Sequence, residues 1–478
     1  MRKLFTSNLI LLLLLNVAVK PLWIFGIDRT VQNVLGANEY GFYYVLFNFT
    51  LIFNILLDLG ITNYNNREIS RHPQLINRYF SGIVSLKAML GIVYLVVVTF
   101  SAYFLGYGKH HTVLLLLLVG NQFLSSMVLF VRSNLNGLHK FKVDSILSVL
   151  DKFTMIIIVS VFLYTNLSRF FTIKTFVIAQ SVSYLFTLAV SIFFLLFYTP
   201  ALKFKFRLKF SFNTLKRSLP YALLVLLMSI YGRIDTVAVE RLMSDGFTNA
   251  GIYAQAFRLL DAFNMFPFLF ASLLLPIFSR MIKNKEDVVP FLGYSFLILI
   301  IPTVAIAIPT IGYSQNIMDL LYREHPEISA KVLSILMGSF MLITVNYVFG
   351  TLLTAKGNIA MLNVFSGIAA ATSIVVQLIF VPKFGILGAA LGNLLVNALV
   401  AIMQTAYACK VFELKVSAMF IFKFVAFFVG TVLLFLLSKY FNTSWFVKFF
   451  ALIGASTLLA LLLRLINLKY FLPFLSKD

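Results

Sequence analysis

Charged side chains interrupt several of the long apolar stretches of this chain, and they carry the chemistry that the sequence offers. An ionisable residue inside a membrane-spanning segment costs about 2.5–3.5 kcal/mol on the insertion scale, so each one calls for a partner or a function. A lumen lined with ammonium and guanidinium groups favours anions, and arginine holds phosphate with directed hydrogen bonds. The cations that predict binding of an anionic group are Lys20, Lys87, Lys152, Arg233 and Arg258. The acids that predict charge pairing or ion coupling are Asp28, Asp151, Asp235 and Asp261.

Sequence spacing separates two pairs among these residues. Arg233 and Asp235 lie two positions apart, which is about 200° around a helix axis, so they cannot simply neutralise one another. At least one of them must therefore face another charged helix or a water-filled lumen. Arg258 and Asp261 lie three positions apart and can share a helix face, which leaves a local ion pair open as the alternative to a binding role.

The position of a charge along its apolar stretch, near the middle or near an end, distinguishes Lys20, Asp58 and Lys87. Lys20 precedes Pro21 deep in the first stretch, where proline removes a backbone donor, kinks the helix and frees carbonyl groups near which a cavity could form. Asp58 lies near the end of its stretch, and we expect it at the membrane interface. Lys87 lies within two or three turns of an edge, so snorkelling of its ammonium to the interface is the alternative to anion binding.

No catalytic or metal-binding pattern accompanies these charges. The histidine pair His110-His111 has no carboxylate or cysteine at metal-ligand spacing, and no nucleotide, dinucleotide or nucleophile motif is present. The sequence therefore predicts no metal, no cofactor and no enzymatic activity. The one cysteine, Cys409, excludes an internal disulfide framework.

The elements that must position the charges are transmembrane helices. Of the 478 residues, 60% are hydrophobic and 12% are charged, and the mean hydropathy is +0.95, whereas globular chains average about 25% charged residues. We predict an all-α integral membrane protein with about 14 helices, at about 20 residues each. This leaves no room for a soluble catalytic or ATPase domain. The predicted spans lie near residues 5–25, 40–59, 81–105, 112–131, 146–164, 175–198, 222–239, 252–270, 291–311, 332–353, 361–381, 386–407, 419–437 and 446–466.

The distribution of basic residues predicts the orientation in the membrane. The net charge is +22, from 39 Lys and Arg against 17 Asp and Glu, and most of the basic residues in loops fall on one side when alternate loops are compared. The positive-inside rule then places both termini in the cytoplasm, including an uncleaved first helix, and accounts for the charge without nucleic acid. The longest basic stretch, Thr199–Leu219, is interpreted as a cytoplasmic connector that rests on the interface.

A weak internal repeat indicates that the chain is built from two halves. Five positions of the second span, among them Gly41 and Tyr43, recur at an offset of 210, and Ile27-Asp28 recurs as Ile234-Asp235 at an offset of 207. Secondary transporters are commonly built from such repeats, with the substrate site between them. We predict an N-terminal six-helix lobe at 1–200, a basic linker at 201–218, a C-terminal six-helix lobe at 219–410 and a terminal helix pair with a tail at 411–478.

Two segments resemble a known family. The run KPLWIFGIDRTVQN at Lys20–Asn33, followed by Glu39-Tyr40-Gly41, resembles the polysaccharide-exporter branch of the multidrug/oligosaccharidyl-lipid/polysaccharide (MOP) flippase superfamily. The segment Asn358–Leu391, which contains VPKFGILGAA at Val381–Ala390, is similar to a turn between late helices of O-antigen flippases. Its glycines, Gly385, Gly388 and Gly392, predict close helix packing.

The resemblance implies a fold and a transport function. It implies a MATE-like V of two lobes around a cationic central cavity, alternating between inward-open and outward-open states. The implied activity is the flipping of an undecaprenyl-diphosphate-linked oligosaccharide across the bacterial inner membrane, with membrane lipids, polysaccharide polymerase and glycosyltransferases as partners. Within this scheme Lys20, Arg233 and Arg258 are the implied cargo-binding cations, and Asp28, Asp235 and Asp261 are the implied coupling acids.

Three competing functions stay open. A lipid II flippase differs from the preferred function only in its cargo. A cation-coupled drug antiporter of the same superfamily would call for a net acidic lumen, whereas cations outnumber acids here. A membrane polysaccharide polymerase or glycosyltransferase is the enzyme alternative, and the short external loops disfavour it.

Overall fold

The described part of the computed structural model is helical. The structure describes residues 15–16, 18–107, 112–199, 211–414 and 417–465, and no β-strand occurs among them. The histidine pair at 110–111 and the basic residues 203–209 lie outside the described residues. The α-helices are α1 (Arg29–Ile52), α2 (Ile61–Arg71), α3 (Ile76–Phe104), α4 (Thr112–Gly137), α5 (Phe141–Tyr164), α6 (Ile173–Tyr198), α7 (Ser211–Leu242), α8 (Gly246–Lys283), α9 (Val289–Gly312), α10 (Ser314–Leu321), α11 (Pro326–Lys356), α12 (Ile359–Val411), α13 (Ala418–Ser438) and α14 (Trp445–Leu462).

The prediction of a multi-pass helical membrane protein is confirmed. Among the described residues, eleven helices are long and apolar enough to cross a membrane. One of them, the 53-residue α12, contains the predicted eleventh and twelfth spans, joined by a kink at Gly385 (φ 60°, ψ −141°). A Cβ atom added at Gly388 would lie 2.1 Å from the Phe380 carbonyl oxygen. The glycine-rich turn therefore brings two backbones together, as its spacing predicts.

The first helix continues beyond the end that the hydropathy predicts. A π-helical segment, Leu22–Asp28, begins directly after Pro21 and leads without a loop into α1, which is kinked at Gly36 (φ 79°, ψ 167°). The prediction that the first span ends near residue 25 is therefore wrong. Polar residues lower the hydropathy there, but they do not break the helix. As a consequence, Asp28 and Arg29 lie within a helix instead of an external loop.

The chain divides into two compact units, and the first comprises Met1–Gly251. Within it α4 packs against α6, α5 against α6, and α7 against α1. Buried apolar residues of α3, α4, α5 and α6 form one core cluster, in which the Phe80 and Phe130 rings stack at 5.4 Å. The sequence assigns α7 to the C-terminal lobe, whereas its contacts place it in this first unit. The lobe boundaries themselves stay a prediction.

The second unit comprises Ile252–Asp478. Its core joins α9 to the two terminal helices, α13 and α14, and includes Val304, Phe427 and Ala460. A Cβ atom added at Gly312 would lie 2.1 Å from the Phe435 ring, so glycine permits the close approach of α13 there. The terminal pair is thus packed into this unit.

The internal repeat has matching local structure in the two halves. Tyr43 and Phe47 stack with ring centroids 5.6 Å apart, and their counterparts Tyr253 and Phe257 lie 5.5 Å apart. Asp28 and Asp235 are each 1% exposed. Because both the ring pair and the buried acid recur, the repeat reflects more than the abundance of phenylalanine.

Candidate functional site

The helical backbone is interrupted between α1 and α2, within the first unit. Helix α1 ends at Ile52, a 3₁₀ turn follows at Asn54–Leu57, and α2 begins at Ile61. Leu59 (φ 46°) and Gly60 (φ 81°) adopt left-handed conformations that end the helical hydrogen bonding. Such a break leaves carbonyl and amide groups that need other partners in a membrane.

Lys87 and Asp58 supply those partners. The Lys87 Nζ atom, on α3, donates to the Leu57 carbonyl at 3.0 Å, to Asp58 Oδ1 at 2.8 Å and to Ser126 Oγ at 2.8 Å. The Asp58 carboxylate also accepts from the Thr62 backbone N–H at 3.3 Å and from the Thr62 hydroxyl, so it caps the start of α2. The Lys87 ammonium thus lies at the C-terminal end of the helix before the break, and the Asp58 carboxylate lies at the N-terminal end of α2. Each charge also interacts favourably with the dipole of its helix end.

Snorkelling of the Lys87 ammonium to the interface, the alternative that depth offered, is wrong, whereas the interfacial position expected of Asp58 stays a prediction. The Lys87 side chain is 1% exposed and its ammonium is turned toward the helix break, so it does not snorkel to the interface. The Asp58 side chain is 27% exposed and is ion-paired to Lys87. The pairing joins residues 29 positions apart, which hydropathy cannot reveal.

A cavity of about 650 Å³ adjoins the break. Asp58 and Asn54 line one part of it and Ser229 and Arg233 of α7 line another. The Arg233 Nη1 atom also donates to Asn48 Oδ1 of α1 at 3.4 Å. The cavity thus combines a guanidinium, a carboxylate, an amide and a hydroxyl.

Arg233 and Asp235 occupy different environments, as their spacing predicts. Arg233 is partly buried and lines the cavity, whereas Asp235 is 1% exposed and accepts a hydrogen bond from the Thr236 backbone N–H at 2.8 Å. Two residues on one helix therefore present a cation to the cavity and an acid to the protein interior.

A second charged cluster joins the first helix to α5. The Lys152 Nζ atom lies 3.2 Å from Asp151 Oδ2, 5.7 Å from the Trp23 ring centroid and 5.4 Å from the Tyr184 ring centroid. Lys20 interacts electrostatically with Asp151 and Lys152. The Asp151 carboxylate thus pairs with Lys152 and attracts the Lys20 ammonium, and the Lys152 ammonium lies beside two aromatic rings.

Asp28 lies in a separate polar pocket of the π-helical segment. The Tyr40 hydroxyl donates to its carboxylate, 2.9 Å from Oδ1 and 3.0 Å from Oδ2, and Gln32 Nε2 donates to Oδ2 at 3.3 Å. Tyr40 is itself fully buried. A phenol and an amide therefore both donate to this carboxylate.

Arg258 and Asp261 lie on the part of α8 that belongs to the second unit, and both side chains are partly buried. The structure brings Lys20, Asp151 and Lys152 together, and it places Lys87 and Arg233 at the break and its cavity. Asp58 is the residue near this cavity that sequence reasoning undervalued. The signal that could have found it is the Asp58-Leu59-Gly60 run, since glycine in an apolar helix marks a break.

Helix α1 and the start of α8 are joined by a further set of contacts within the first unit. Asn38 Nδ2 donates to Thr248 Oγ1 at 3.0 Å, and a Cβ atom added at Gly41 would lie 1.9 Å from the Phe247 carbonyl oxygen. The Asn38–Thr248 pair and the Gly41–Gly251 pair both have an offset of 210, the offset of the internal repeat. Equivalent positions of the repeat therefore meet each other at this point.

A polar cluster joins the segment after α3 to the end of α7. The Tyr107 hydroxyl donates to Glu240 Oε2 at 2.8 Å, and Arg241 Nε lies 2.9 Å from the same oxygen. The Arg241 guanidinium also lies 4.0 Å from the Tyr107 ring centroid. Burial, together with the Glu240 carboxylate, raises the pKa of the Tyr107 phenol, so it stays a hydrogen-bond donor across the physiological range.

No group of three or more His, Cys, Asp or Glu side chains suited to a metal ion occurs among the described residues. The clusters are instead pairs of opposite charge and cations beside aromatic rings. Residues 5–282, more than half of the chain, match the family model for polysaccharide biosynthesis proteins. The chain belongs to this family.

Solved structures share the fold of this polysaccharide biosynthesis protein. A lipid II flippase, MurJ, in an inward closed conformation matches with a TM-score of 0.72 at 17% identity, over 98% of this chain and 100% of that chain. An inward-facing multidrug resistance MATE family transporter of the MOP superfamily matches with a TM-score of 0.62 at 12% identity, over 82% and 94% of the two chains. A MOP superfamily transporter from Pyrococcus furiosus, for which a reversed polarity of the binding pocket suggests a different function, matches with a TM-score of 0.61 at 16% identity, over 86% and 96%. No curated protein sequence matches the chain significantly.

These similarities confirm the family resemblance and the helical membrane fold. Because the identities are low, the neighbours show the fold alone and leave the cargo open.

Proposed function

We propose that this protein is a flippase for undecaprenyl-diphosphate-linked oligosaccharides, the repeat units of O-antigen, capsule or exopolysaccharide. The observation that carries the proposal is the pairing of family membership with cations among the membrane helices, Lys20 and Lys152 in one cluster and Arg233 at the cavity. A family that makes polysaccharides needs to move anionic lipid-linked sugars, and these cations provide phosphate partners within the membrane.

The physical requirement of such a cargo fits this arrangement. A diphosphate with a sugar cannot cross about 30 Å of hydrocarbon unaided, because its polar groups would lose their hydration without replacement. Arginine and lysine replace part of that hydration, while the polyprenyl tail stays in the lipid. With a negative interior, outward movement of an anion gains about 2.3 kcal/mol per charge per 100 mV.

We assign the intramembrane charges to two roles within this proposal. Lys20, Lys152, Arg233 and Arg258 bind the diphosphate, whereas Lys87 is committed to the helix break and positions Asp58. The acids assigned to ion coupling or charge pairing are Asp28, Asp151, Asp235 and Asp261. Asp28 is the leading coupling candidate, since it is 1% exposed and a proton or a cation would change its hydrogen bonding to Tyr40 and Gln32.

The proposal extends to the location of the protein and its partners. We place it in the bacterial inner membrane with both termini in the cytoplasm, where glycosyltransferases supply its cargo. A polysaccharide polymerase would use the cargo on the opposite side. The protein itself then moves its cargo without forming or breaking a covalent bond, and it needs no cofactor.

Lipid II transport is the second candidate, and the fold shared with MurJ favours it. The two cargoes share the undecaprenyl diphosphate and differ in their sugars, so the same cations would serve both. Drug antiport, which the name of the MATE neighbour suggests, is disfavoured because the chain belongs to a polysaccharide biosynthesis family.

Replacement of Arg233 tests the function and the site together. In a strain that lacks its own O-antigen or capsule flippase, the wild type should restore surface polysaccharide and clear the lipid-linked intermediate from the inner leaflet. Arg233→Ala should lower export at least about tenfold at equal protein level, which corresponds to about 1.4 kcal/mol. Arg233→Lys should retain part of the activity, since it keeps the charge but loses the bidentate geometry.

Two outcomes would separate the alternatives, and one variant serves as the control. Full export by Arg233→Ala would remove this residue from the binding site. Wild-type rescue of a strain depleted of its lipid II flippase, without rescue of polysaccharide export, would assign the protein to lipid II. Lys383→Ala, which changes an exposed cation at the α12 kink, is the matched control and should export normally.

A further inference from the structure

The break between α1 and α2 presents a set of oxygen atoms around one point. The carbonyl of Leu57, the carboxylate of Asp58 and the hydroxyl of Ser126 all lie within 3.0 Å of Lys87 Nζ. The Ser126 hydroxyl in turn donates to the Leu57 carbonyl at 3.2 Å. The three N–H groups of the ammonium are matched by three oxygen acceptors, which is its full complement.

Carbonyl, carboxylate and hydroxyl oxygens at a break in a helix are the ligands that transporters use for monovalent cations. Unwound carbonyls and half-helix C-terminal ends coordinate such ions, and a carboxylate supplies the charge. Here the position of the ion is occupied by the end of a lysine side chain that is 1% exposed. The Asp58 side chain faces the 650 Å³ cavity as well, with Arg233 on the lining of the same cavity.

We propose that the Lys87 ammonium is a tethered cation that fills a monovalent-cation site at the helix break. The tether neutralises Asp58 and holds the ends of the two half-helices together without an ion from solution. This end of the cavity therefore keeps one charge state throughout a transport cycle. Removal of the side chain should turn the break into a vacant site for Na⁺, K⁺ or methylammonium.

The thermal stability of the purified full-length protein reports whether an ion binds to the site that the substitution vacates. In choline chloride, Lys87→Ala should have a lower Tm than the wild type, because the Asp58 carboxylate and the Leu57 carbonyl lose their common partner. Replacing choline by Na⁺, K⁺ or methylammonium at constant ionic strength should raise the Tm of the variant in a saturable manner. The three salts separate an inorganic ion from an ammonium as the better occupant.

Two further variants set the controls. The double variant Asp58→Asn with Lys87→Ala removes both charges and should respond no more to Na⁺ than to choline. Lys383→Ala removes an exposed lysine and should behave like the wild type in every salt. Equal Tm values for Lys87→Ala in all salts would overturn the proposal, and so would an undiminished salt response in the double variant.

Binding of radioactive ²²Na⁺ gives a second, independent readout. Lys87→Ala should bind one more ion per chain than the wild type, whatever other sites both proteins share. Equal stoichiometry would contradict the tethered-cation assignment. Where the variant aggregates in choline, fluorescence size-exclusion of detergent extracts prepared in Na⁺ or in choline replaces the Tm, and an equal monodisperse fraction in both contradicts the proposal.

The role of this site in a transport cycle rests on the proposed flippase function. The ion response of the purified variants does not, because it measures binding alone. Failure of export in complementation and failure of ion binding to Lys87→Ala are therefore distinguishable.

Discussion

At the scale of single residues, the buried charges differ in how their partners hold them. The Lys87–Asp58 pair is fixed by an ion pair of 2.8 Å and by helix ends, whereas Asp28 is held by a phenol and an amide. Protonation or ion binding at Asp28 would reorganise the hydrogen bonds from Tyr40 and Gln32, whereas at Asp58 it would break the ion pair with Lys87. For this reason we assign coupling to Asp28 and structure to Asp58.

Substitution at Asp28 tests that division. Asp28→Asn should lower the rate of export at least about tenfold, because an amide of the same shape cannot take up a proton or a cation. Tyr40→Phe should reduce the rate less, since it removes one hydrogen bond and leaves the carboxylate. The measurement is the clearance of lipid-linked oligosaccharide from the inner leaflet at equal protein level.

The exposed Tyr103 provides the matched control for the tyrosine change. Its side chain is 76% exposed, so Tyr103→Phe should leave export unchanged. Wild-type export by Asp28→Asn would assign this acid to structure alone.

At the scale of elements, the two ends of the first unit are built differently. Toward the starts of α1 and α8, small residues bring backbones together at Gly41 and Gly251. Toward the break after α1, the helices enclose a cavity lined by Arg233. If cargo is exchanged at alternate ends, the contacts at the Asn38–Thr248 end must separate during transport.

A reversible cross-link tests that separation. In a Cys409→Ser background, Asn38→Cys with Thr248→Cys replaces a hydrogen-bonded pair whose side-chain atoms lie 3.0 Å apart. Oxidation should lower export at least about tenfold relative to the reduced protein. Reduction should restore it, since the disulfide only holds a contact that already exists.

Each single-cysteine variant under the same oxidant serves as the control and should stay active. Unchanged export by the fully cross-linked protein, as judged by gel shift, would show that these contacts persist through the cycle.

At the scale of the whole molecule, the charge asymmetry predicts the orientation. The excess of 39 basic over 17 acidic residues lies mainly in alternate loops, and the insertion machinery retains such loops in the cytoplasm. The family match and the eleven candidate spans among the described residues agree with a multi-pass protein. The direction in which the chain is inserted is a separate prediction.

Cysteine labelling in intact cells checks the orientation. In the Cys409→Ser background, Lys383→Cys should react with a membrane-impermeant maleimide added outside, and Lys356→Cys should react only after permeabilisation. Both positions are exposed. Lys356 is the last residue of α11 and Lys383 lies at the kink of α12, so the first half of α12 separates them and we expect them on opposite sides of the membrane. The reversed pattern would invert the topology.

The sequence by itself determined the membrane class, most of the spans and the inventory of charges. These features depend on local composition, since a run of about 20 apolar residues must become a helix in lipid whatever surrounds it. The α12 kink could also be predicted, because its glycine and proline act on the backbone locally. The separation of Arg233 from Asp235 followed from helical geometry alone.

Only the tertiary structure decided which charges meet. Lys87 finds Asp58 across 29 positions, and Arg233 reaches Asn48 across 185. The continuation of the first helix through Asp28 could not be read from hydropathy, because a buried acid with its own donors lowers the apolar score without ending the helix. Pairing of this kind depends on distance in space, and hydropathy records only order along the chain.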